Sequence, residues 1–393
     1  DILNNLYKFG NVFVCIVNPV YSFLMRFMSL IYDNTRNSSD LFYKTGFKVP
    51  DPVIFFEIRN KKYLVLNDLE FQRGSSQAKV DKVISLREIS NLAKSHNVID
   101  IIKELVKLYN IDEVKVPYTF PSYLFDQLRK SKIKIEASSA VIFYKSRLIK
   151  SSSEVKSIKK TMMRTESVLE KIISKIKYSK SKNNLLYSDG KLLTSEVLRG
   201  YCHIELASLG LECPDCIISS GGHSALPHHE GSGPISESSP IILDIFPKDI
   251  ESGYYGDITR TVVKGKPSPI LKKMFSVVLF GQRMGIKLVK SRKKSSTIHS
   301  SIKDFFNKSG FPTDFTKNNP DGFIHSTGHG LGLDIHEPPR VSTGSDILKA
   351  NQVITIEPGL YYTKIGGIRI EDTVLVTEKG CKNLTMFPKV LEI

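Results

Sequence analysis

The sequence has few cysteines and no uninterrupted apolar run of membrane-spanning length. Its five cysteines, an odd number scattered over 393 residues, argue against a disulfide framework and predict a reducing, cytoplasmic compartment. The pair Cys213 and Cys216 lacks the second CxxC that a zinc ribbon requires, so we interpret both as ordinary thiols. Pro19 and Arg26 interrupt the apolar segment 12–32, and we therefore expect no membrane anchor.

Acidic residues are also scarce relative to basic ones. The chain has 56 Lys and Arg against 40 Asp and Glu, a net charge of +16. Such a surface can indicate nucleic-acid or anionic-membrane partners. However, the basic residues are spread along the chain, with short runs at 159–160 and 292–294, and no recognisable nucleic-acid module accompanies them. We interpret the charge as surface solvation and predict neither a nucleic-acid nor a membrane partner.

The length favours two domains, because single cores rarely exceed about 250–300 residues. Residues 40–136 alternate strand and helix signals, including a hairpin over 53–66, and predict an α/β domain over 28–150. Ser151 and Glu154 then have the spacing of a capping box before a long helical face, so a second domain is predicted over 151–393. Residues 1–27 precede the natural start near Met28. We interpret them as an extension whose deletion leaves fold and activity intact.

The second domain alternates helices with strands. Helices are predicted over 194–209, 268–289 and 297–307, and the polar stretch 179–191 is predicted as a loop. Residues 240–246 alternate as a strand that carries Asp244, and residues 257–263 form the returning strand that begins at Asp257. The two aspartates should therefore lie near each other across a hairpin.

Further candidate ligands follow in the last quarter of the chain. Three histidines lie within twelve residues at 325–336, among glycines that permit close backbone approach. Glu357 ends a strand, and Glu371 shares a strand face with Arg369. With His329, Asp244 and Asp257, these glutamates form an oxygen-rich set of four carboxylates and one imidazole. That set suits two divalent ions of the Mn, Co or Fe kind better than a thiolate-type zinc site.

Two ions in such a site can share a hydroxide, because they lower the pKa of the bound water from 15.7 towards about 7. This would create a nucleophile at neutral pH. The remaining histidines of the pattern are then available for proton transfer or carbonyl polarisation: His228, His325 and His336.

Six motifs occur in the order typical of the pita-bread metallopeptidases, which the chain resembles from about residue 28 onwards. They are 225–229 (ALPHH), 243–244 (LD), 257–261 (DITRT), 328–333 (GHGLGL), 356–361 (IEPGLY) and 368–372 (IRIED). Within that group the resemblance is to Xaa-Pro dipeptidase (prolidase) and aminopeptidase P, and residues 39–47 (SDLFYKTGF) resemble an early segment of the creatinase-type N-terminal domain. The implied fold is an α/β N-terminal domain followed by an α+β pita-bread catalytic domain.

The resemblance implies a role for each ligand. Asp244 would bind one metal in a bidentate manner, and Asp257 and Glu371 would bridge both metals. His329 and Glu357 would complete the second metal site, with Glu357 also exchanging a proton with the bridging hydroxide. The metal would be manganese, with cobalt or zinc as alternatives.

The resemblance also implies substrate contacts. His228 would line the pocket, His336 would hydrogen-bond the scissile carbonyl, and His325 would hold the proline end of the substrate. Arg369 is interpreted either as a substrate contact or as a salt bridge that orients Glu371. Arg340 could meet a substrate carboxylate.

The implied activity is hydrolysis of Xaa-Pro bonds by a metal-bridging hydroxide, acting on proline-containing peptides in a homodimer whose N-terminal domains reach over the partner's site. The dipeptidase and aminopeptidase versions both remain open. Alternatives are a methionine aminopeptidase-like peptidase, which generally lacks such an N-terminal domain, and an inactive pita-bread binding protein. One departure is the spacing from Asp244 to Asp257, thirteen residues instead of the usual eleven, which predicts an enlarged hairpin after Asp244.

Overall fold

The computed structural model describes residues 25–316, 318 and 320–393, and the chain divides into two compact units between Phe143 and Tyr144. The division lies a few residues before the boundary predicted at residue 150. The extension predicted over 1–27 falls, apart from its last three residues, outside the described residues. The first strand of the first unit begins at Phe27, next to the start predicted at Met28.

From residue 25 onwards, the first unit is built on one mixed six-stranded sheet with the order β4-β3-β2-β1-β5-β6. Its strands are β1 (Phe27–Asp33), β2 (Val53–Ile58), β3 (Lys61–Leu66), β4 (Lys82–Ser85), β5 (Glu113–Val116) and β6 (Ile135–Ala137). Its helices are α1 (Ser39–Thr45), α2 (Asp68–Gln77), α3 (Leu86–Ala93), α4 (Val98–Leu108) and α5 (Ser122–Lys130). The predicted α/β character of this domain is confirmed.

The predicted hairpin is formed by β2 and β3, which pair antiparallel. Arg59 and Asn60 connect them with φ of 49° and 65°, the left-handed conformation that a two-residue hairpin turn requires. The apolar face of α4 packs its Ile102 and Leu105 into the core of this unit. Burying that face against the sheet is what stabilises a helix of this length.

Within the described residues, the second unit has four α-helices: α6 (Ser152–Lys177), α7 (Ser195–Ser208), α8 (Pro269–Leu288) and α9 (Ser295–Lys308). The predicted capping box is present, because the Ser151 hydroxyl accepts from the Glu154 N–H and the Glu154 carboxylate accepts from the Ser151 N–H. Thr194 caps α7, and Ser268 caps α8 with Pro269 in its first turn. Side-chain caps of this kind satisfy N–H groups that the helix itself leaves unpaired.

The strands of the second unit form several small sheets. They are β7 (Lys180–Lys182), β8 (Leu185–Ser188), β9 (Lys191–Leu192), β10 (Leu211–Glu212), β11 (Ile217–Ser220), β12 (Ile241–Ile245), β13 (Lys248–Asp249), β14 (Ile258–Val262), β15 (Gly328–Gly330), β16 (Glu337–Val341), β17 (Val353–Ile356), β18 (Gly359–Tyr362), β19 (Gly366–Arg369), β20 (Asp372–Val376) and β21 (Cys381–Asn383). The sheets that carry the candidate site have the orders β11-β12-β14, β16-β15-β17-β20-β21 and β18-β19.

The prediction of a loop over 179–191 is wrong, because this stretch forms the three-stranded sheet β7-β8-β9. Asn183 and Asn184 take φ of 52° and 62°, and Asp189 and Gly190 take 53° and 74°. Each pair makes a two-residue hairpin turn. The polar composition of β7, whose residues are all exposed, concealed the strand signal although the Asp-Gly turn signal was present.

Among the described residues, no helix combines the length and the apolar character needed to cross a membrane. The cysteines of this part of the chain are free thiols: Cys202, Cys213, Cys216 and Cys381. A hydrogen bond with Cys216, together with burial, raises the pKa of Cys213. A thiol held protonated in this way is a poor nucleophile and metal ligand.

Candidate metal centre

Two antiparallel strands bring the two aspartates together. Asp244 lies on β12 opposite Thr259 of β14, and Asp257 immediately precedes β14. The extra residues between the aspartates form a small hairpin of their own, in which Gly256 N–H donates to the Pro247 carbonyl at 2.9 Å. The enlarged loop therefore closes on itself before the chain reaches Asp257.

Side chains from three separate segments converge at the beginning of β14. Asp257, His329 and Glu371 each offer a ligand atom, and these atoms lie within 4.8 Å of one another. Within the described residues, this is the only group of three such side chains with that geometry. Nε2 of His329 also lies 3.5 Å from Oδ2 of Asp257 and 3.4 Å from Oε1 of Glu357.

The Thr259 hydroxyl links the other predicted ligand to this group. Its Oγ1 lies 2.9 Å from Oδ1 of Asp244 and 2.7 Å from Oε2 of Glu371. A hydroxyl has one proton and can donate to only one of the two carboxylates at a time. All five predicted ligands therefore lie in one cluster, with Asp244 attached through Thr259.

The protonation of His329 indicates which kind of ligand this cluster suits. Its Nδ1 lies 3.1 Å from the Gly330 carbonyl, which only accepts, so Nδ1 carries the proton. Burial lowers the pKa of His329 to about 3, so the ring is neutral and Nε2 presents a lone pair. That lone pair faces carboxylate oxygens of Asp257 and Glu357, 3.5 and 3.4 Å away, so a divalent cation between them would be bound by all three side chains.

The carboxylates also indicate that this cluster suits a divalent cation. Burial raises the pKa of Glu357 to about 7. Burial and then the neighbouring carboxylates raise the pKa of Asp257 and of Glu371. Oε1 of Glu371 is buried and has no hydrogen-bond partner. Such a cluster of buried acids is unfavourable without positive charge, and its oxygen-rich donors fit hard divalent cations.

Close approach of β15 to β17 places His329 beside Glu357. A Cβ on Gly328 would lie 2.0 Å from the Thr355 carbonyl oxygen, so only glycine permits this contact. The Thr355 hydroxyl accepts from the His329 N–H at 3.1 Å and donates to Oε1 of Glu357 at 3.3 Å. Thr355 thus ties the backbone of one predicted ligand to the side chain of another.

Arg369 is buried and connects Asp244 to His325 through Tyr361. Its Nη2 donates to Oδ2 of Asp244 at 2.5 Å, and its Nη1 donates to the Tyr361 hydroxyl at 2.8 Å. The sequence left open whether Arg369 contacts substrate or orients Glu371. Its carboxylate partner is Asp244, 125 residues away in sequence.

The hydrogen bonds of His325 have defined directions. Its Nδ1 lies 2.7 Å from the Ser326 carbonyl, which only accepts, so Nδ1 carries the proton. Burial, and then the charge of Arg369, lower the pKa of His325 to about 3. The neutral ring therefore accepts at Nε2 from the Tyr361 hydroxyl, 2.9 Å away. Both ring nitrogens are thus engaged within the protein.

The other predicted substrate residues lie around this cluster. The ring of His336 packs edge-on against His329, with centroids 4.4 Å apart. His228 is exposed, and its charge contributes to lowering the pKa of both His325 and His336, after the larger effect of burial. Arg340 is exposed on β16 opposite His329 in the strand register.

Sequence reasoning missed three side chains that organise the centre. Thr259 and Thr355 bridge predicted ligands, and Tyr361 links Arg369 to His325. A period of two places Thr259 on the strand face of Asp257, and likewise Thr355 on the face of Glu357. Such signals identify candidates, whereas the partners depend on how distant strands pack.

Comparison with known proteins gives a consistent result. The sequence profile of metallopeptidase family M24 matches residues 156–378. A curated Xaa-Pro dipeptidase from Pyrococcus furiosus is 41% identical over 180 residues, which cover 45% of this chain and 49% of that protein. A curated Xaa-Pro dipeptidase from Pyrococcus horikoshii is 30% identical over 326 residues, 82% of this chain and 83% of that protein. The chain thus spans about half of the first relative and more than four fifths of the second.

Solved structures extend the similarity to both units. The crystal structure of the prolidase from Pyrococcus horikoshii has a TM-score of 0.75 at 27% identity, covering 93% of this chain and 95% of that one. An X-Pro aminopeptidase from Thermotoga maritima has a TM-score of 0.79 at 24% identity, covering 93% and 97%. The predicted fold class, an α/β N-terminal domain with a pita-bread catalytic domain, is confirmed.

Proposed function

The chain belongs to metallopeptidase family M24, and on that premise we propose that it is a dinuclear metal-dependent exopeptidase that hydrolyses Xaa-Pro bonds. The observation that carries the proposal is the neutral Nε2 of His329 facing carboxylate oxygens of Asp257 and Glu357. Among the similar proteins, two are described as Xaa-Pro dipeptidases and one as an X-Pro aminopeptidase, which supports the substrate class.

In this proposal Asp244 would hold one ion, Asp257 and Glu371 would contribute to both sites, and His329 and Glu357 would hold the second ion. Two divalent ions held there would lower the pKa of a shared water towards about 7 and supply hydroxide at neutral pH. Manganese is the proposed metal, with cobalt or zinc as alternatives, because the donor set is mainly carboxylate oxygen.

The remaining side chains hold protons and substrate. In the proposal Glu357 would also exchange a proton with the attacking water. His336 donates to the scissile carbonyl and His228 lines the pocket. Arg340, exposed on β16, is the candidate for a substrate carboxylate.

His325 contacts the proline end of the substrate through its ring surface. Both of its nitrogens are engaged, by the Ser326 carbonyl and the Tyr361 hydroxyl, so neither is available to the substrate. Phe323 packs edge-on against the same ring, with centroids 5.5 Å apart. A neutral ring backed by the buried Phe323 presents an apolar surface that suits the pyrrolidine ring, which has no N–H to satisfy.

Metal reloading tests the proposal. Chelated protein is reloaded with Mn, Co or Zn and assayed on Ala-Pro and Ala-Pro-Ala, with Ala-Ala and Ala-Ala-Ala as controls. We expect about two ions per chain and cleavage of a proline-containing peptide that depends on metal. Fewer than one ion per chain without activation by Mn or Co would favour an inactive binding protein. Cleavage of Met-Ala-Ala but neither proline peptide would favour a methionine aminopeptidase.

The same assay separates the two exopeptidase versions. Hydrolysis of Ala-Pro indicates a dipeptidase, whereas hydrolysis of Ala-Pro-Ala alone indicates an aminopeptidase. The similar proteins carry both descriptions, and the five ligands are compatible with either activity.

The proposal extends to assembly and compartment. We propose a homodimer, to be measured by light scattering of the purified chain in solution. The free thiols of the described residues support a reducing compartment such as the cytoplasm. A monomer at micromolar concentration, or a secreted protein, would contradict these parts while leaving the proposed chemistry intact.

A further inference from the structure

Glu337 is a buried carboxylate beside the candidate metal centre that has no role in the proposed reaction. It begins β16, directly after His336, and its side chain is 1% exposed. Its Oε1 accepts from Nη2 of Arg147 at 2.7 Å, and its Oε2 accepts from Nζ of Lys150 at 2.6 Å. Both cationic side chains are themselves 3% exposed. The carboxylate therefore lies between two buried cationic side chains.

The backbone segment that precedes Glu337 donates hydrogen bonds to this carboxylate. The N–H groups of Leu333 and Asp334 donate to its Oε1 at 3.1 and 3.3 Å. The Gly332 N–H donates to the Asp334 carbonyl at 3.1 Å, which closes the turn. Arg147 also pairs with Oδ2 of Asp334 at 2.7 Å. One carboxylate thus fixes the turn 332–337.

Gly332 leaves the space that the carboxylate occupies. A Cβ at this position would lie 2.6 Å from each oxygen of Glu337 and 2.7 Å from Nζ of Lys150. Its φ is not in the left-handed region, so space rather than backbone strain excludes other residues. Any side chain here would displace the carboxylate from its donors.

We infer that Glu337 is a positioning residue that sets the ring of His336 over the metal centre. His336 lies on the turn that Glu337 fixes, and its ring packs against His329 at 4.4 Å. Glu337 acts through that ring: its oxygens face Arg147, Lys150 and the backbone, so it touches neither a metal ligand nor a substrate. This rests on the proposed function insofar as His336 acts on the substrate.

A double-mutant cycle tests this role. Glu337→Gln keeps the shape of the side chain but removes both ion pairs, and its effect on kcat/KM is measured in the native and His336→Ala backgrounds. We expect a loss of about 10- to 100-fold in the native background, mainly in kcat, and no further loss with His336→Ala. Equal losses in both backgrounds, or no loss in either, would overturn the inference.

Gly332→Ala provides a second route if Glu337→Gln folds poorly. It leaves every charge in place but crowds the Glu337 carboxylate and Nζ of Lys150, so we expect the same non-additivity with His336→Ala. The control is Glu57→Gln in the first unit, which breaks the Lys44–Glu57 pair, with side chains 18% and 16% exposed. That control should leave kcat/KM unchanged; a matching loss would assign the effect to general destabilisation and overturn the inference.

A readout without substrate separates this inference from the proposed function. Histidine ring resonances of the metal-free protein are recorded, with His336 assigned by its substitution. Glu337→Gln should shift or broaden the His336 signal, and Glu57→Gln should not. An unchanged His336 signal would overturn the inference even in an active enzyme. Absence of any peptide cleavage would instead overturn the proposed function and leave this readout valid.

Discussion

Hydrogen-bond directions at single side chains give the clearest chemical information in this protein. A carbonyl oxygen can only accept, so the bonds to Ser326 and Gly330 determine the tautomers of His325 and His329. The consequences differ for the two rings. His325 is left with no free nitrogen, whereas His329 is left with a lone pair that faces acids.

Tyr361→Phe tests the link between His325 and Arg369. The hydroxyl accepts from Arg369 and donates to His325, and a net contribution of about 1.5–3 kcal/mol is usual for a hydrogen bond to a charged group. We expect kcat/KM on a proline peptide to fall about tenfold or more, because Arg369 and His325 both lose a fixed partner. Steady-state kinetics at constant metal loading measures this, and an unchanged kcat/KM would show that the link has no role in turnover.

Glu371→Gln tests the proposed bridging carboxylate. The amide is neutral and replaces an oxygen that is buried without a partner, so we expect the bound metal to fall to one ion per chain or fewer and the activity to be lost. Metal content after dialysis is the measurement. Glu166→Gln is the matched control, since Glu166 is a partly buried acid of the same unit that accepts from the Met386 and Phe387 N–H groups. Full metal content in Glu371→Gln would remove Glu371 from the ligand set.

At the scale of elements, two helical glycines occupy opposite environments. A Cβ on Gly281 of α8 would lie 2.5 Å from Cε1 of Phe306 on α9, whereas a Cβ on Gly200 of α7 would meet nothing within 4 Å. Phe306 is fully buried, so its ring has little room to yield. Gly281 therefore sets how closely α8 and α9 pack.

Substituting both glycines gives a matched pair. Gly281→Ala should destabilise the protein by about 1–3 kcal/mol through overpacking. Gly200→Ala should stabilise it by about 0.5–1 kcal/mol, because alanine favours the helix. Urea unfolding measures both, and equal effects of the two substitutions would contradict the packing described for α8 and α9.

The elements predicted from the sequence were those with a strong local signal. The capping box at Ser151 and the hairpin of β2 and β3 depend on neighbours in sequence, and both are confirmed. The sheet β7-β8-β9 was missed because its outer strand is entirely exposed and polar. The pairing of Arg369 with Asp244 could not be predicted from residues that are neighbours in sequence, since it depends on the packing of β19 against β12.

At the scale of the whole molecule, the metal-free protein should lose stability as the pH rises. Burial raises the pKa of Glu357 to about 7, and the pKa values of Asp257 and Glu371 are also raised. The folded state therefore keeps protons that the unfolded chain releases. By linkage its free energy of unfolding falls as the pH rises from about 5 towards and beyond 7.

Thermal unfolding of chelated protein between about pH 5 and pH 8 checks this expectation. Added Mn should abolish the fall, because a cation stabilises the ionised carboxylates. Glu357→Gln should reduce the fall in the metal-free protein, since the amide does not titrate. A stability independent of pH in the metal-free protein would contradict the acid cluster as described.

The central claim, that five side chains hold two divalent ions, is tested most directly by anomalous diffraction from crystals loaded with Mn. We expect two anomalous peaks about 3.5–4 Å apart, enclosed by the side chains Asp244, Asp257, His329, Glu357 and Glu371. A single peak would contradict the dinuclear site. Peaks elsewhere in the chain, with none among these five side chains, would contradict the assignment of the centre itself.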